Sequence, residues 1–372
     1  MADRWILQLC HGYSGPFLDV ARQYAALFKE SPFKVLTVYL TGEPTEKARV
    51  ESASDEVIFL DYSSRDIRGL KIGAIRALRR IAVSRNFALV IAHRFKPIYV
   101  ACLATRLPVI GVHHAFGDYD RPQRRGFARL FRERLSLLAV SNAVRDDIRK
   151  RLSGWAPERI ETLYNRLDVA VARARLIPRV EARFALGLPQ DAPIIANVGR
   201  LHPDKDQLTL LRGFAQALPR LPEKTLLIIA GEGPLKDKLK ACAQQLNVTE
   251  RVRFLGQVPD IRRFFRAFDL FVLSSDHEPF GMVLLEAMVA DVPILATNCG
   301  GAPEVVESDE QLFPLQVPEQ LAIKLESFFS RSKHAFGVEA RCDNASRLED
   351  LFSDDAARRS FFKLDMVQKI LK

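Results

Sequence analysis

Short apolar runs alternate with amphipathic stretches along most of the chain, and the pattern starts afresh near its middle. Ile6–Cys10, Lys34–Leu40, Val57–Leu60, Leu89–Ala92, Val109–His113 and Leu137–Val140 form a first set, each bounded by Gly, Pro or polar residues. Ile194–Gly199, Thr225–Ala230, Val252–Leu255, Leu270–Ser274 and Pro293–Thr297 form a second. Between them lie segments with apolar residues at helical spacing: Phe17–Glu30, Ile67–Arg85, Gln207–Leu218, Leu235–Leu246, Ile261–Ala267 and Val283–Ala290. Strand and helix alternating in this way make βαβ units, hence a parallel sheet covered on both faces. Two such sheets in succession predict an α/β chain of two Rossmann-like domains facing each other across a cleft. A length of 372 residues is ample for two cores. The seam is expected within residues 165–180, after the strand-like Ile160–Tyr164. The domains are then 1–168 and 169–347, followed by an amphipathic helical tail over 348–372.

Charge is unevenly shared. The net formal charge is +10, and residues 1–168 carry 28 Lys and Arg against 18 Asp and Glu, whereas residues 169–372 carry 27 of each. A one-signed half suits an anionic partner (nucleic acid, an anionic membrane face or a phosphorylated substrate) or a solubilising surface. No nucleic-acid recognition motif or aromatic-interleaved basic patch supports the first of these, so no nucleic-acid partner is expected. No apolar run reaches the roughly 18 residues that span a bilayer. The opening Met1–Cys10 has too short an apolar part, and no small-residue cleavage site, for a signal segment. It reads as a first strand of a cytoplasmic protein. The five cysteines, Cys10, Cys102, Cys242, Cys299 and Cys342, are scattered and odd in number, which argues for buried thiols rather than disulfides or a zinc site.

Ligands of open α/β sheets bind beyond the carboxyl ends of the strands, and four such junctions carry unusual residues. After the first strand, Gly15 and Pro16 prepare a helix start that a phosphate could approach; a plain turn explains them equally well. In Asn197–Asp206, Gly199 is followed by Arg200 and Lys205, a guanidinium fork and a point charge matched to a diphosphate leaving group. In Ala230–Pro234, Gly231 and Gly233 allow a tight turn against a flat ligand. The fourth junction is the most informative: His277–Glu286 runs from a strand through Gly281 into a helix. Free N–H groups of Gly281, Met282 and Val283 suit phosphate oxygens. Glu286 can accept hydrogen bonds from the vicinal hydroxyls of a ribose, and Glu278 from those of a hexose or heptose.

Glu278 and Glu286, with seven residues between them that include Pro279-Phe280-Gly281, resemble the E-x7-E motif of retaining GT-B glycosyltransferases of family 4. Gly199-Arg200 with Lys205 resembles the diphosphate-binding G-R and K of that family. Val140-Ser141-Asn142-Ala143, Ala230–Pro234, Phe254-Leu255-Gly256 and Gly300–Val306 extend the likeness over roughly residues 5–306. Lipopolysaccharide core glycosyltransferases are among the members it resembles. The resemblance implies a GT-B fold with an acceptor-binding first domain, a donor-binding second domain, and a C-terminal helix returning to the first. It implies that Arg200 and Lys205 stabilise the departing nucleoside diphosphate, that Glu286 holds the ribose and that Glu278 contacts the donor sugar. Gly15, Gly199, Gly231, Phe280, Gly281, Met282 and Val283 would line the donor. Transfer would proceed with retention, without metal or other cofactor, by a front-side route in which the leaving phosphate assists deprotonation of the acceptor hydroxyl. The family often places a histidine at the end of a first-domain strand; His114 fits best, since Ile110, Val112 and His114 alternate onto one side. A one-residue shift would select His113, and a histidine bonded within the core is the plain alternative. Two departures stand out: Arg166 in Asn165–Asp168 replaces an expected glycine, and Glu310–Pro314 replaces Gly-rich segments.

The expected donor is a UDP-sugar, on family frequency. The basic half is the acceptor half, so an anionic glycan or glycolipid acceptor is expected, as in lipopolysaccharide core or cell-envelope polysaccharide synthesis. Arg121–Leu135 is Arg-rich, with Phe127, Leu130, Phe131 and Leu135 on one helical face; it could lie on an anionic membrane at the inner face of the cytoplasmic membrane or pack against the sheet. A non-catalytic sugar-nucleotide-binding protein, and a GT-B epimerase or phosphorylase, are the rival readings.

Overall fold

Apolar pentads such as Leu226–Ala230 are buried along their whole length, as strands covered by helices on both faces must be. The computed structural model describes residues 3–15, 17–306, 308–330 and 346–371; Pro16 and Cys342 lie outside them. The chain divides into two units, Met1–Arg166 with Asp354–Lys372, and Leu167–Ser353. Each is built on one parallel sheet, so the two Rossmann-like domains are present.

In the first unit the strands are β1 (Arg4–Cys10), β2 (Phe33–Tyr39), β3 (Glu56–Phe59), β4 (Phe87–His93), β5 (Val109–His113), β6 (Leu135–Ala139) and β7 (Ile160–Thr162). Their order is β3-β2-β1-β4-β5-β6-β7 and every pair is parallel. In the second unit, β8 (Ile194–Val198), β9 (Leu226–Ala230), β10 (Val252–Gly256), β11 (Leu270–Leu273), β12 (Ile294–Thr297) and β13 (Leu312–Phe313) are ordered β10-β9-β8-β11-β12-β13, again all parallel. The direction of strand addition reverses once in each sheet, between β1 and β4 and between β8 and β11. These are the switch points at which doubly wound sheets open a crevice.

The second core joins Ile195, Leu227, Ile229 and Val272 of the sheet to Leu210, Phe214 and Leu321 of its covering helices. The first core joins Ile6, Leu89, Ile91 and Ile110 to Tyr24 and Phe28, and is completed by Phe361 and Val367 from the chain's last helices, Asp354–Lys363 and Asp365–Leu371. Arg166, where a glycine was expected, is fully buried. Its guanidinium donates to the Gln23 carbonyl, lies 5.1 Å over the Tyr24 ring and stands 3.5 Å from Asp354, which Arg22 holds at 2.7 Å. It thus ties the end of the unit's first segment to the start of its second.

Several sequence expectations shift. The helix expected within Ile67–Arg85 covers Ile72–Ala82 and starts from Lys71 in the left-handed region (φ 55). Ile261–Ala267 winds as tighter 3₁₀ turns, beginning after Asp260 at φ 49. The Arg121–Leu135 stretch is not one helix: the helix is Pro122–Leu130, and Leu135 opens β6. Arg134 stops it by donating to the carbonyls of Cys102 and Leu107. Leu130 is therefore 76% exposed, while Phe127 packs against Phe95, Tyr99 and Phe131. The Glu310–Pro314 segment contains β13, whose two residues are too few for periodicity to reveal. Cys10, Cys102, Cys242 and Cys299 are buried thiols, and no helix among the described residues is long and apolar enough to cross a membrane.

Phe361 is fully buried and meets Phe28 edge-on at 5.6 Å. Phe361→Ala is expected to cost about 3–5 kcal/mol, read as a lowered urea midpoint at unchanged slope; a loss under about 1 kcal/mol would mean that the terminal helices add little to the first core.

Candidate active site

The loops leaving β8 and β11 meet at the switch point of the second sheet. After β8, Gly199 N–H donates to the Ala230 carbonyl (2.9 Å) and Leu201 N–H to that of Glu232 (3.0 Å), so this loop lies directly on the loop that follows β9. A Cβ on Gly231 or Gly233 would collide with the backbone of Gly199 or Leu201, which explains both glycines without invoking a ligand. The 3₁₀ turn Pro203–Lys205 then presents Lys205. Ser274 Oγ donates to the Lys205 carbonyl (2.8 Å) and Asp276 N–H to that of Asp204 (3.1 Å), fastening the turn to the β11 loop.

Lys205 Nζ donates to Glu278 Oε2 at 2.7 Å, and Ser275 Oγ donates to the same oxygen at 3.1 Å. Only 20% of the lysine side chain and 9% of the glutamate's are exposed. Losing either partner would leave a charge poorly solvated, which is more costly than the pair is stabilising. Arg200 is 70% exposed and tethered at 3.2 Å to Asp204, whose other oxygen takes the ring of His202. The loop thus offers one exposed guanidinium and one largely buried ammonium.

Gly281 (φ 96) begins the helix Met282–Val289 with no side chain capping its first turn. Its N–H groups, Met282 and Val283 among them, can serve an anion. The Phe280 side chain is buried against Phe352 at 5.7 Å, so it anchors the loop and leaves only its backbone for a ligand. Glu286 is partly buried within the same helix. Gly301 went unassigned in the sequence reading: its N–H donates to the Glu278 carbonyl (2.8 Å), and a Cβ there would come within 2.5 Å of the Pro279 oxygen. The Gly300-Gly301 pair was the available signal. Ser274 and Ser275 carried none.

Gly15 and His114 belong to the first unit. Gly15 has φ 63 in the loop after β1, as a tight turn requires. His113 is fully buried, with Nδ1 against Asp118 (2.7 Å) and Nε2 against the Tyr119 hydroxyl (3.1 Å). Both its nitrogens are committed to the core. His114 keeps part of its surface exposed, and its Nε2 lies 3.3 Å from Nδ1 of His93, a residue not singled out from sequence. His93 is buried at the end of β4 with its other nitrogen unpartnered.

Residues 178–347 match the family model for glycosyl transferases group 1, and residues 20–171 match that for glycosyltransferase family 4. A D-inositol 3-phosphate glycosyltransferase of Saccharomonospora viridis is 33% identical over 245 residues, covering 61% of this chain and 52% of that protein. A lipopolysaccharide core biosynthesis glycosyltransferase, LpsE, of Rhizobium meliloti is 40% identical over 119 residues, 32% of this chain and 34% of that one. The chain therefore spans about half or less of these curated relatives. The solved structure of Anabaena HepE in complex with UDP superposes with a TM-score of 0.79 at 20% identity, covering 96% of this chain and 98% of the other.

Three imidazoles of the first unit resist protonation. Crowding desolvates His114 and, with His113 and Arg94 nearby, lowers it to about 3. Burial holds His93 well below its ordinary value; burial, then Lys96 and Arg94, lower His11. The unfolded chain gains these protons near pH 6.5 while the folded chain refuses them, so the stability is present above that pH and is lost as pH falls toward the folded values. Urea midpoints are expected to drop between about pH 7 and 5, and His114→Gln to flatten the slope. A flat wild-type profile would contradict neutral imidazoles here.

Proposed function

We propose that this chain, which belongs to the group 1 and family 4 glycosyltransferases of the GT-B fold, moves a sugar with retention from a nucleotide-sugar to an anionic glycan or glycolipid acceptor. The observation that carries this reading is the Lys205–Glu278 pair, held beside an uncapped helix start at the switch point of the second sheet. Lys205 and the exposed Arg200 neutralise the charge that collects on the departing diphosphate. The N–H groups of Gly281, Met282 and Val283 hold its oxygens, and Glu286 accepts from the ribose hydroxyls. Glu278, paired with Lys205, accepts from donor-sugar hydroxyls. His114, kept neutral, is the first unit's candidate to donate a hydrogen bond to a sugar hydroxyl without adding charge. The leaving phosphate oxygen takes the proton of the attacking hydroxyl on the face from which it departs, so configuration is retained with neither metal nor cofactor.

UDP is the proposed nucleotide, supported by the HepE complex. An acceptor bearing negative charge is supported by the basic first half of the chain and by relatives named for D-inositol 3-phosphate and for lipopolysaccharide core; synthesis of that core or another envelope polysaccharide is the proposed setting. The helix Pro122–Leu130, with arginines and the exposed Leu130, suits peripheral contact with an anionic membrane from the cytoplasmic side.

Among UDP-, GDP- and ADP-sugars, the UDP-sugar is expected to raise the melting temperature most; a response confined to GDP or ADP would reject UDP. Lys205→Ala and Glu278→Ala should each abolish transfer with the circular dichroism spectrum unchanged, and full activity in either would overturn the site. Binding to anionic vesicles should fall with salt while binding to neutral ones stays weak. Equal binding to both would remove the membrane contact.

A further inference from the structure

The first sheet has a switch point of its own, between β1 and β4, and cations gather at it. Leu9 pairs with Ala92 at the end of the β1–β4 ladder, and His11 and Arg94, each two residues further on, lie within electrostatic reach of each other. Arg94 leads into the helix Phe95–Ala104, with Lys96 in its first turn. Lys71 leads into the helix Ile72–Ala82, and its ammonium lies 4.6 Å from the ring centre of Tyr99, one turn beyond Lys96. Neither helix has an acidic residue in its first turn or a side chain capping it. Both start from a non-glycine residue at positive φ, 55 for Lys71 and 71 for Arg94, a disfavoured backbone that clusters at ligand-holding sites.

Cations at helix starts meet the positive end of the dipole, where acidic residues are normally favoured. No carboxylate among the described residues forms an ion pair with them, although Asp118 lies within electrostatic reach of Arg94. Lys71 donates to the Gly69 carbonyl (2.6 Å), Arg94 lies over the Phe17 ring at 4.7 Å, and among the described residues neither they nor Lys96 form an ion pair. Asp118 is committed to His113 and Arg124, each at 2.7 Å. Nδ1 of His11 is buried without a partner. The mutual repulsion registers in the groups themselves: burial and then Lys96 lower both His11 and the Lys71 ammonium, with Arg94 acting further on His11.

We infer that Lys71, Arg94, Lys96 and His11 form a binding site for a phosphate monoester carried by the acceptor, an assignment that rests on the transfer reading above. A dianion with three terminal oxygens can take donors from three directions at once and relieve the repulsion among them. A single carboxylate would leave part of that charge unmatched. The site would recognise the acceptor by its charge and hold it at the first sheet's carboxyl edge, which also carries His114.

The test follows the His11 ring signal by NMR, assigned by its loss in His11→Gln. Wild-type protein is titrated with inorganic phosphate, glycerol 3-phosphate and glycerol. Glycerol 3-phosphate should shift the signal saturably and glycerol should not, and Lys71→Met and Lys96→Met should each weaken binding by about tenfold. No saturable shift, or undiminished affinity in both variants, overturns the site. A response to inorganic phosphate with none to glycerol 3-phosphate assigns it to a free ion and overturns the acceptor role. If a methionine variant fails to fold, Lys96→Gln replaces it, and the wild-type titration remains decisive. The UDP-sugar melting shift, measured on the same samples, reports on the donor reading separately: its loss alone rejects that reading and leaves the anion site standing.

Discussion

A parallel sheet delivers the carboxyl end of every strand to one edge, because each crossover must run back over a face before the next strand begins. Where successive strands are laid down on opposite sides of a starting pair, the loops of that pair diverge and leave room between them. Both sheets here have one such place. In the second unit it brings Lys205 and Glu278, 73 residues apart in the chain, to 2.7 Å. Everything else proposed for the donor half is arranged around that ion pair.

The pair is held by backbone more than by side chains. Ser274 and Asp276 fasten the Lys205 turn through carbonyls, and Gly301 does the same for Glu278. Gly231, Gly233 and Gly301 are glycines because neighbouring main chain occupies the space a Cβ would need. Their motifs could be taken for ligand-contact signatures, yet here they secure loop-on-loop packing. Packing of this kind presets the positions of charged groups, so little reorganisation is needed when charge develops at a bound diphosphate.

The first unit is electrostatically unlike the second. Its switch point collects imidazoles kept neutral by desolvation, beside ammonium and guanidinium groups that form no ion pair among the described residues. The excess of positive charge counted along residues 1–168 is therefore partly concentrated at one sheet edge rather than spread over solvent-facing helices. That distinction separates a recognition feature from a solubilising one, and net charge alone could not draw it.

Strand periodicity in the sequence located every strand of both sheets but β13, and the spacing of Glu278 and Glu286 after a strand pointed to the junction of the second one that carries the candidate site, because both signals are local. Tertiary structure decided what depends on distant partners. His113 and His114 are adjacent, and only Asp118 and Tyr119 closing on His113 leave His114 at the edge. Arg166 is tolerable in place of a glycine only because Gln23, Tyr24 and Asp354 surround it. The Arg121–Leu135 pattern looked continuous until the sheet claimed Leu135 for β6. Lys71 and Lys96, 25 residues apart, gave no motif at all and are brought together where Lys71 reaches Tyr99, one turn beyond Lys96. Periodicity reports which face of an element is buried; which charges then meet is set by the order in which the strands are laid down.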